Sequence, residues 1–210
     1  VAAGVARVVT ALEDPDPRVS GRGHAILSAA GIAVETGVMA DVARRDHAGF
    51  LMRTTLGRPF VTLKLAMSLD GRIATATGES RWITGPGARQ AVHGLRLRHD
   101  AVMVGGGTAR TDDPALTVRG FGAVPQPVRV VVTRLLDVPL MGQLARTATE
   151  VPVWLCHGPD ARPETRQAWE GLGARLIGCR LAAGRVDPVS MLQELGAAGL
   201  MVVSGLARGV

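Results

Sequence analysis

The chain has 210 residues, of which 47% are hydrophobic and 20% charged, and it carries a formal net charge of +6. That balance belongs to a folded globular protein rather than a disordered one, and the length suffices for one full domain plus part of another. All basic residues except Lys64 are arginine, which favours anionic partners, yet they are scattered and aromatics make up only 3%, so nucleic acid is not expected as a partner.

No stretch approaches the roughly 18 apolar residues of a membrane span, and residues 1–11 lack the layout of a signal peptide, so no membrane association is expected. Cys156 and Cys179 are too far apart for a CxxC pair, which fits a reducing cytoplasm and gives no metal site.

In chain order, residues 5–11 read as a strand, ended by the Asp14-Pro15-Asp16-Pro17 turn. Residues 24–30 have helical composition, Gly31 stops them, residues 32–34 form a short strand, and Asp41 is placed to cap a helix running to about residue 55. Leu56-Gly57-Arg58-Pro59 breaks the pattern and divides the chain into domains at residues 1–55 and 56–210. Residues 60–68 then begin a new apolar strand. Thr84 before Gly85-Pro86 suits the N-cap region of a helix reaching about residue 98, with Ala88, Ala91, Val92 and Leu95 as its buried stripe. A strand at 101–104 empties into a turn at Gly105-Gly106-Gly107-Thr108. Strands follow at 128–132 and 153–155, helices at 163–172 and 188–195, and a last strand at 200–203. The alternation reads as an α/β fold with a mostly parallel sheet.

Three local features carry chemistry. Lys64, the single lysine, sits between Leu63 and Leu65, and strand alternation points it away from both. A compact ammonium retained where every other basic residue is arginine suits a site that a planar guanidinium does not fit, although chance accounts for it almost as well. The glycine run after the strand at 101–104 lets backbone N–H groups approach an anion, but its spacing matches neither a dinucleotide fingerprint nor a P-loop, and such exits are more often plain tight turns. Asp112-Asp113-Pro114, Leu116-Thr117 and Arg119 form a polar loop near the same strand exit, the edge where ligands bind in open α/β sheets. Arg96 and Arg119 are candidates for a bidentate phosphate clamp, with solvated surface arginines as the ordinary alternative.

Taken as blocks, these residues resemble a known family. Gly57-Arg58-Pro59-Phe60-Val61, Leu63 to Ala74, Gly78-Glu79-Ser80-Arg81-Trp82-Ile83-Thr84, Asp100 to Gly105, Asp112 to Arg119 and Gln126 to Val131 resemble, in order, the reductase part of the bifunctional riboflavin-biosynthesis deaminase/reductases. The resemblance implies a dihydrofolate-reductase-like α/β fold and NADPH-dependent reduction of the ribosyl group of 5-amino-6-(5-phosphoribosylamino)uracil to ribityl. It implies that Ala66, Trp82, Thr108 and Asp112 contact NADPH, that Ser80, Arg96, Leu116 and Arg119 contact substrate, and that Lys64 lies near the reacting centre. Lys64 and Asp112 are the expected catalytic residues. A homodimer through the reductase domain is also implied.

Residues 1–50 resemble the end of the same family's deaminase domain through Gly4 to Val9, Asp14 to Gly23 and Ala30 to Val34. The His-x-Glu and Pro-Cys-x-x-Cys segments that hold zinc in such deaminases are absent, so zinc is expected only in sequence preceding residue 1, and this chain is expected to be a piece of a longer one without deaminase activity. Two departures stand out. Val203-Ser204-Gly205-Leu206 occupies the region where the family has an acid followed by glycines, and Thr133-Arg134 stands where relatives often have an acid and a serine. Arg134 is a candidate contact for the NADPH 2′-phosphate. An active reductase is the first reading; the second is a truncated, non-catalytic remnant that binds nucleotide or pairs with another subunit. A reductase acting on a different pyrimidine is the weakest, given the deaminase-like residues 1–50.

Overall fold

The computed structural model describes residues 1–77 and 83–206, excluding the side chain of Leu206. Strands β1 (Arg7–Thr10) and β2 (Ala33–Thr36) pair in parallel, bridged by an Arg7–Glu35 ion pair, and α1 (Arg22–Ala29) connects them. The single helix expected after Asp41 is two, α2 (Ala40–Asp46) and α3 (Ala48–Leu56), separated at His47. Met39, at φ 58°, occupies the cap position, so Asp41 falls within the first turn, where its carboxylate still favours the helix dipole.

From residue 60 onward the chain builds β3 (Phe60–Lys64), α4 (Pro86–Leu97), β4 (Ala101–Gly105), α5 (Gly106–Asp112), β5 (Val128–Val132), α6 (Gln143–Arg146), β6 (Val153–His157), α7 (Pro163–Gly171) and β7 (Arg175–Gly178). A two-stranded hairpin, β8 (Leu181–Ala182) with β9 (Arg185–Val186), precedes α8 (Pro188–Ala197) and β10 (Val202–Leu206). Among the described residues six strands form one sheet in the order β3-β10-β4-β5-β6-β7, and every pairing in it is parallel. Helices cover both faces, which is why its central strands are largely apolar, with Arg129 of β5 and Ser204 of β10 as buried polar exceptions. Val102, Val104, Val131 and Leu155 face Trp169 of α7, while Ala101, Val130, Cys156 and Val203 face Met191 and Leu195 of α8.

The last-made strand lies between β3 and β4. Asp100 fixes its start, with Oδ2 accepting from the backbone of Met201 (2.7 Å) and Val202 (2.9 Å) and its own N–H bonding Val202 O. This cap, after Gly199 at φ 111°, starts the strand at Val202 rather than at residue 200. The α3 helix lies against the same strand: a Cβ on buried Gly49 would come within 2.9 Å of Met201 O. Gly196 of α8 is held as closely, since a Cβ there would lie 2.4 Å from Gly57 O, and its carbonyl accepts from Arg53 Nε at 3.0 Å.

Other expectations need correcting. The strand at 60–68 stops at Lys64, beyond which the chain leaves the sheet. The glycine run is no turn, because Gly106 and Gly107 open α5 directly from β4. Ala88 and Ala91 are exposed, leaving half-buried Val92 and Leu95 to pack α4 beside its polar residues His93 and Arg96. Thr84 does not cap that helix by its side chain; Gly85 is the N-cap, and the Thr84 carbonyl accepts from Arg89. No helix among the described residues is long and apolar enough to cross a membrane.

Candidate functional site

The carboxyl ends of β3, β4 and β5, marked by Lys64, Gly105 and Val132, lie along one edge of the sheet, where α/β proteins bind ligands. On one side of this edge stands a cationic wall. Half-buried Arg96 donates from Nη1 to Thr117 O at 2.8 Å, while its Nε is buried without a partner. Burial, then the charge of Arg119, lowers the Arg96 pKa, and burial, then Arg96, lowers that of Lys64. Among the described residues no ion pair neutralises Lys64, Arg96 or Arg119. Like charges gathered without carboxylates are costly in a folded protein and suit the binding of an anionic ligand.

His93, three residues before Arg96 on α4, joins the wall and accepts from the Arg119 backbone N–H at Nδ1 (3.1 Å). Burial, and then the charges of Arg96 and Arg119, hold its pKa below the ordinary 6.5. Near pH 6 the unfolded chain therefore binds more protons than the folded one. The stabilising contribution of neutral His93 is complete above about pH 6.5 and lost as pH falls through the depressed folded value. His93→Gln should flatten the fall in melting temperature between about pH 7 and 5. Parallel wild-type and variant curves would refute the linkage.

The loop that carries Arg119 is pinned along its length. Asp113, at φ 39°, accepts from Gln143 N through Oδ1 (2.7 Å) and from Gln143 Nε2 through its carbonyl (2.8 Å). Arg129 reaches Ala115 O, and Val118 N donates to Gln126 Oε1 at 2.7 Å. Leu116, at φ 56°, turns its side chain into the core, so what it offers toward the edge is backbone.

On the other side of the edge opens a cleft of about 540 Å³ lined by Gly105, Gly107, Arg110, Arg134 and Arg185, among others. A Cβ on Gly105 or Gly107 would meet nothing within 4 Å, whereas one on Gly106 would lie 2.9 Å from Thr133 Cβ. The middle glycine is thus demanded by packing, and its neighbours leave the cleft floor bare. Its cationic lining matches the phosphates of a dinucleotide. Thr108 is half-buried on α5, Asp112 is exposed at its end, and Ala66 lies just beyond β3. A second cavity, about 620 Å³ and lined by Ser68, Asp70, Arg72 and Ile83, adjoins that exit. Ser80 and Trp82 lie outside the described residues.

The fold thus gathers Lys64, Arg96 and Arg119 on one wall and brings Arg134 to the facing cleft. Sequence reasoning missed His93, whose spacing from Arg96 on one helix face was a usable signal, and Arg185, which carries none. Ser204, in the region where an acid was expected, is buried with its hydroxyl unpartnered.

Comparison with known proteins identifies relatives of the whole chain. Residues 59–206 match the family model described as the RibD C-terminal domain. The chain is 39% identical over 204 residues to riboflavin biosynthesis protein RibD of Bacillus amyloliquefaciens, covering 95% of this chain and 53% of that protein. It is 34% identical to RibD of Escherichia coli, covering 99% of this chain and 69% of that one. The chain therefore spans about half to two-thirds of the length of these relatives. Among solved structures, Acinetobacter baumannii RibD superposes with a TM-score of 0.79 at 37% identity, over 97% of this chain and 55% of that one. The deaminase/5-amino-6-(5-phosphoribosylamino)uracil reductase of Thermotoga maritima gives 0.78 at 30%, over 98% and 55%.

Proposed function

The chain belongs to the RibD C-terminal domain family, and on that premise we propose that it reduces the ribosyl group of 5-amino-6-(5-phosphoribosylamino)uracil to ribityl with NADPH, a step of riboflavin biosynthesis. The observation that carries this reading is the pair of cationic walls at one sheet edge, one around Arg96 and the other lining the glycine-floored cleft. Two anionic molecules can be held face to face there, and most of the rate enhancement then comes from positioning.

Bound NADPH would supply the hydride, delivered to C1 of the ring-opened sugar. Arg96 and Arg119 bind the substrate phosphate, Arg96 through the Nε that the fold leaves unused. Ser80 and the Leu116 backbone complete the substrate side. Lys64 Nζ, its proton held less tightly than an ordinary lysine's, donates to the imine nitrogen that takes the electron pair as hydride adds to C1. Asp112, the other residue assigned to catalysis, borders the cofactor side, with Ala66, Trp82 and Thr108 as further cofactor contacts and Arg134 lining the cofactor cleft. Residues 1–55 would be the tail of a deaminase-like domain and 56–210 the reductase domain, through which two copies associate.

NADPH oxidation by the purified chain with this substrate tests the reading, and no turnover would overturn it. Arg119→Ala should weaken substrate binding by about 1.5–3 kcal/mol, the worth of a charge-assisted hydrogen bond; unchanged affinity would remove Arg119 from the site. A non-catalytic remnant is the less favoured alternative, because both walls are present in the chain.

A further inference from the structure

The cleft holds three guanidinium groups, and the fold neutralises only two. Arg110 Nη1 pairs with Asp137 Oδ2 at 2.7 Å. Arg134 is committed twice, with Nε donating to Asp160 Oδ2 at 2.7 Å and Nη1 to Gly184 O at 2.9 Å. Arg185, exposed on β9, lines the same cleft and has neither an ion pair nor a side-chain hydrogen bond among the described residues.

Its backbone is nevertheless well placed. Ala183 and Gly184 make the β8–β9 turn at φ 48° and 73°, and the Arg134 bond to Gly184 O ties that turn to the end of β5. On the other side Asp187 N bonds Arg180 O at 2.8 Å, and the Asp187 carboxylate caps α8 through Val189 and Ser190. A short hairpin clamped at both ends therefore presents one uncommitted guanidinium to a cleft with a bare glycine floor.

We propose that Arg185 reads the phosphate monoester that distinguishes NADPH from NADH, with Arg134 as the positioning residue that holds the hairpin in place. This rests on the reading of the chain as an NADPH-dependent reductase. Arg134 was the candidate from sequence, but its donors are spent on Asp160 and Gly184, whereas the fork of Arg185 is free to meet a dianionic phosphate.

Calorimetric binding of 2′,5′-ADP and 5′-AMP, which differ only in that phosphate, tests the assignment on the full chain. Wild type should prefer 2′,5′-ADP. Arg185→Ala should lose about tenfold in affinity for 2′,5′-ADP while leaving 5′-AMP unchanged, and Arg185→Lys should recover part of the loss. Arg134→Ala should lower the same selectivity ratio, which a merely structural defect would leave alone, and Arg134→Lys should partly restore it. A preference for 2′,5′-ADP that survives Arg185→Ala overturns this inference alone. Wild-type chain that binds neither probe overturns the reductase reading as well.

Discussion

Arg96→Met is expected to raise the melting temperature while cutting kcat/KM by roughly 100-fold or more. The wild-type guanidinium is half-buried, makes one hydrogen bond to Thr117 O, leaves Nε unsatisfied, and stands near Lys64 and Arg119 with no carboxylate in partnership. Replacing such a group by an apolar one of similar length is often stabilising by about 1–4 kcal/mol. Against this stands about 1 kcal/mol for the lost bond to Thr117. The net gain of up to about 3 kcal/mol corresponds to a rise of up to roughly 12 °C in a chain of this size. Activity moves the other way, because the phosphate loses the donor the fold had kept unused. Thermal unfolding and steady-state kinetics on one preparation decide the matter. A variant that loses both stability and activity would show that Arg96 is a structural residue.

Arg129→Met should do the reverse, destabilising the fold by about 3–5 kcal/mol, a fall of roughly 6–20 °C in melting temperature. Arg129, like Arg96, leaves a buried Nε without a partner, but it is 1% exposed and both of its Nη groups are engaged. Nη1 bonds Thr147 Oγ1 at 2.7 Å, and Nη2 bonds Thr147 O at 2.9 Å and Val151 O at 2.5 Å. Removing it strands several buried acceptors at once. It also reaches Ala115 O at 3.4 Å, next to Leu116 with its left-handed backbone, so the loop bearing Arg119 should loosen. Substrate affinity is expected to fall with stability, as thermal unfolding and calorimetry would reveal. A melting temperature within 2 °C of wild type, the scale of less than about 1 kcal/mol, would contradict this account.

What could be seen in the sequence depended on how far each feature reaches. The strands at 101–105, 128–132 and 153–157 are apolar runs bounded by breakers, and periodicity alone marks them. The strands β7, β8 and β9 and the four-residue α6 are too short for any period to emerge, and the chain chooses them because tertiary partners do. The glycine run misleads locally: it spells a turn, but the strand emptying into it continues as α5, and Thr133 enforces the glycine at 106. The α4 stripe fails because its inner face is built for charge, with His93 and Arg96 displacing alanines from the interior. Individual arginines carry no mark of whether their donors will be spent, which is why Arg134 and Arg185 exchange roles once the hairpin is seen.

The place of β10 has a consequence for how the chain acquires its shape. Among the described residues the only sheet neighbour of β3 is β10, whose residues follow those of β4 by about a hundred positions. During synthesis β4, β5, β6 and β7 can pair as they emerge, each beside its predecessor, but β3 must wait beside an empty slot until residues 202–206 arrive. Such late, long-range closure is slow and leaves apolar edges uncovered meanwhile. Lys64, at the end of β3, joins the site only at that moment, and α3 gains its support from Met201 and Val202 in the same step. Completion of the substrate wall is thereby coupled to completion of the sheet.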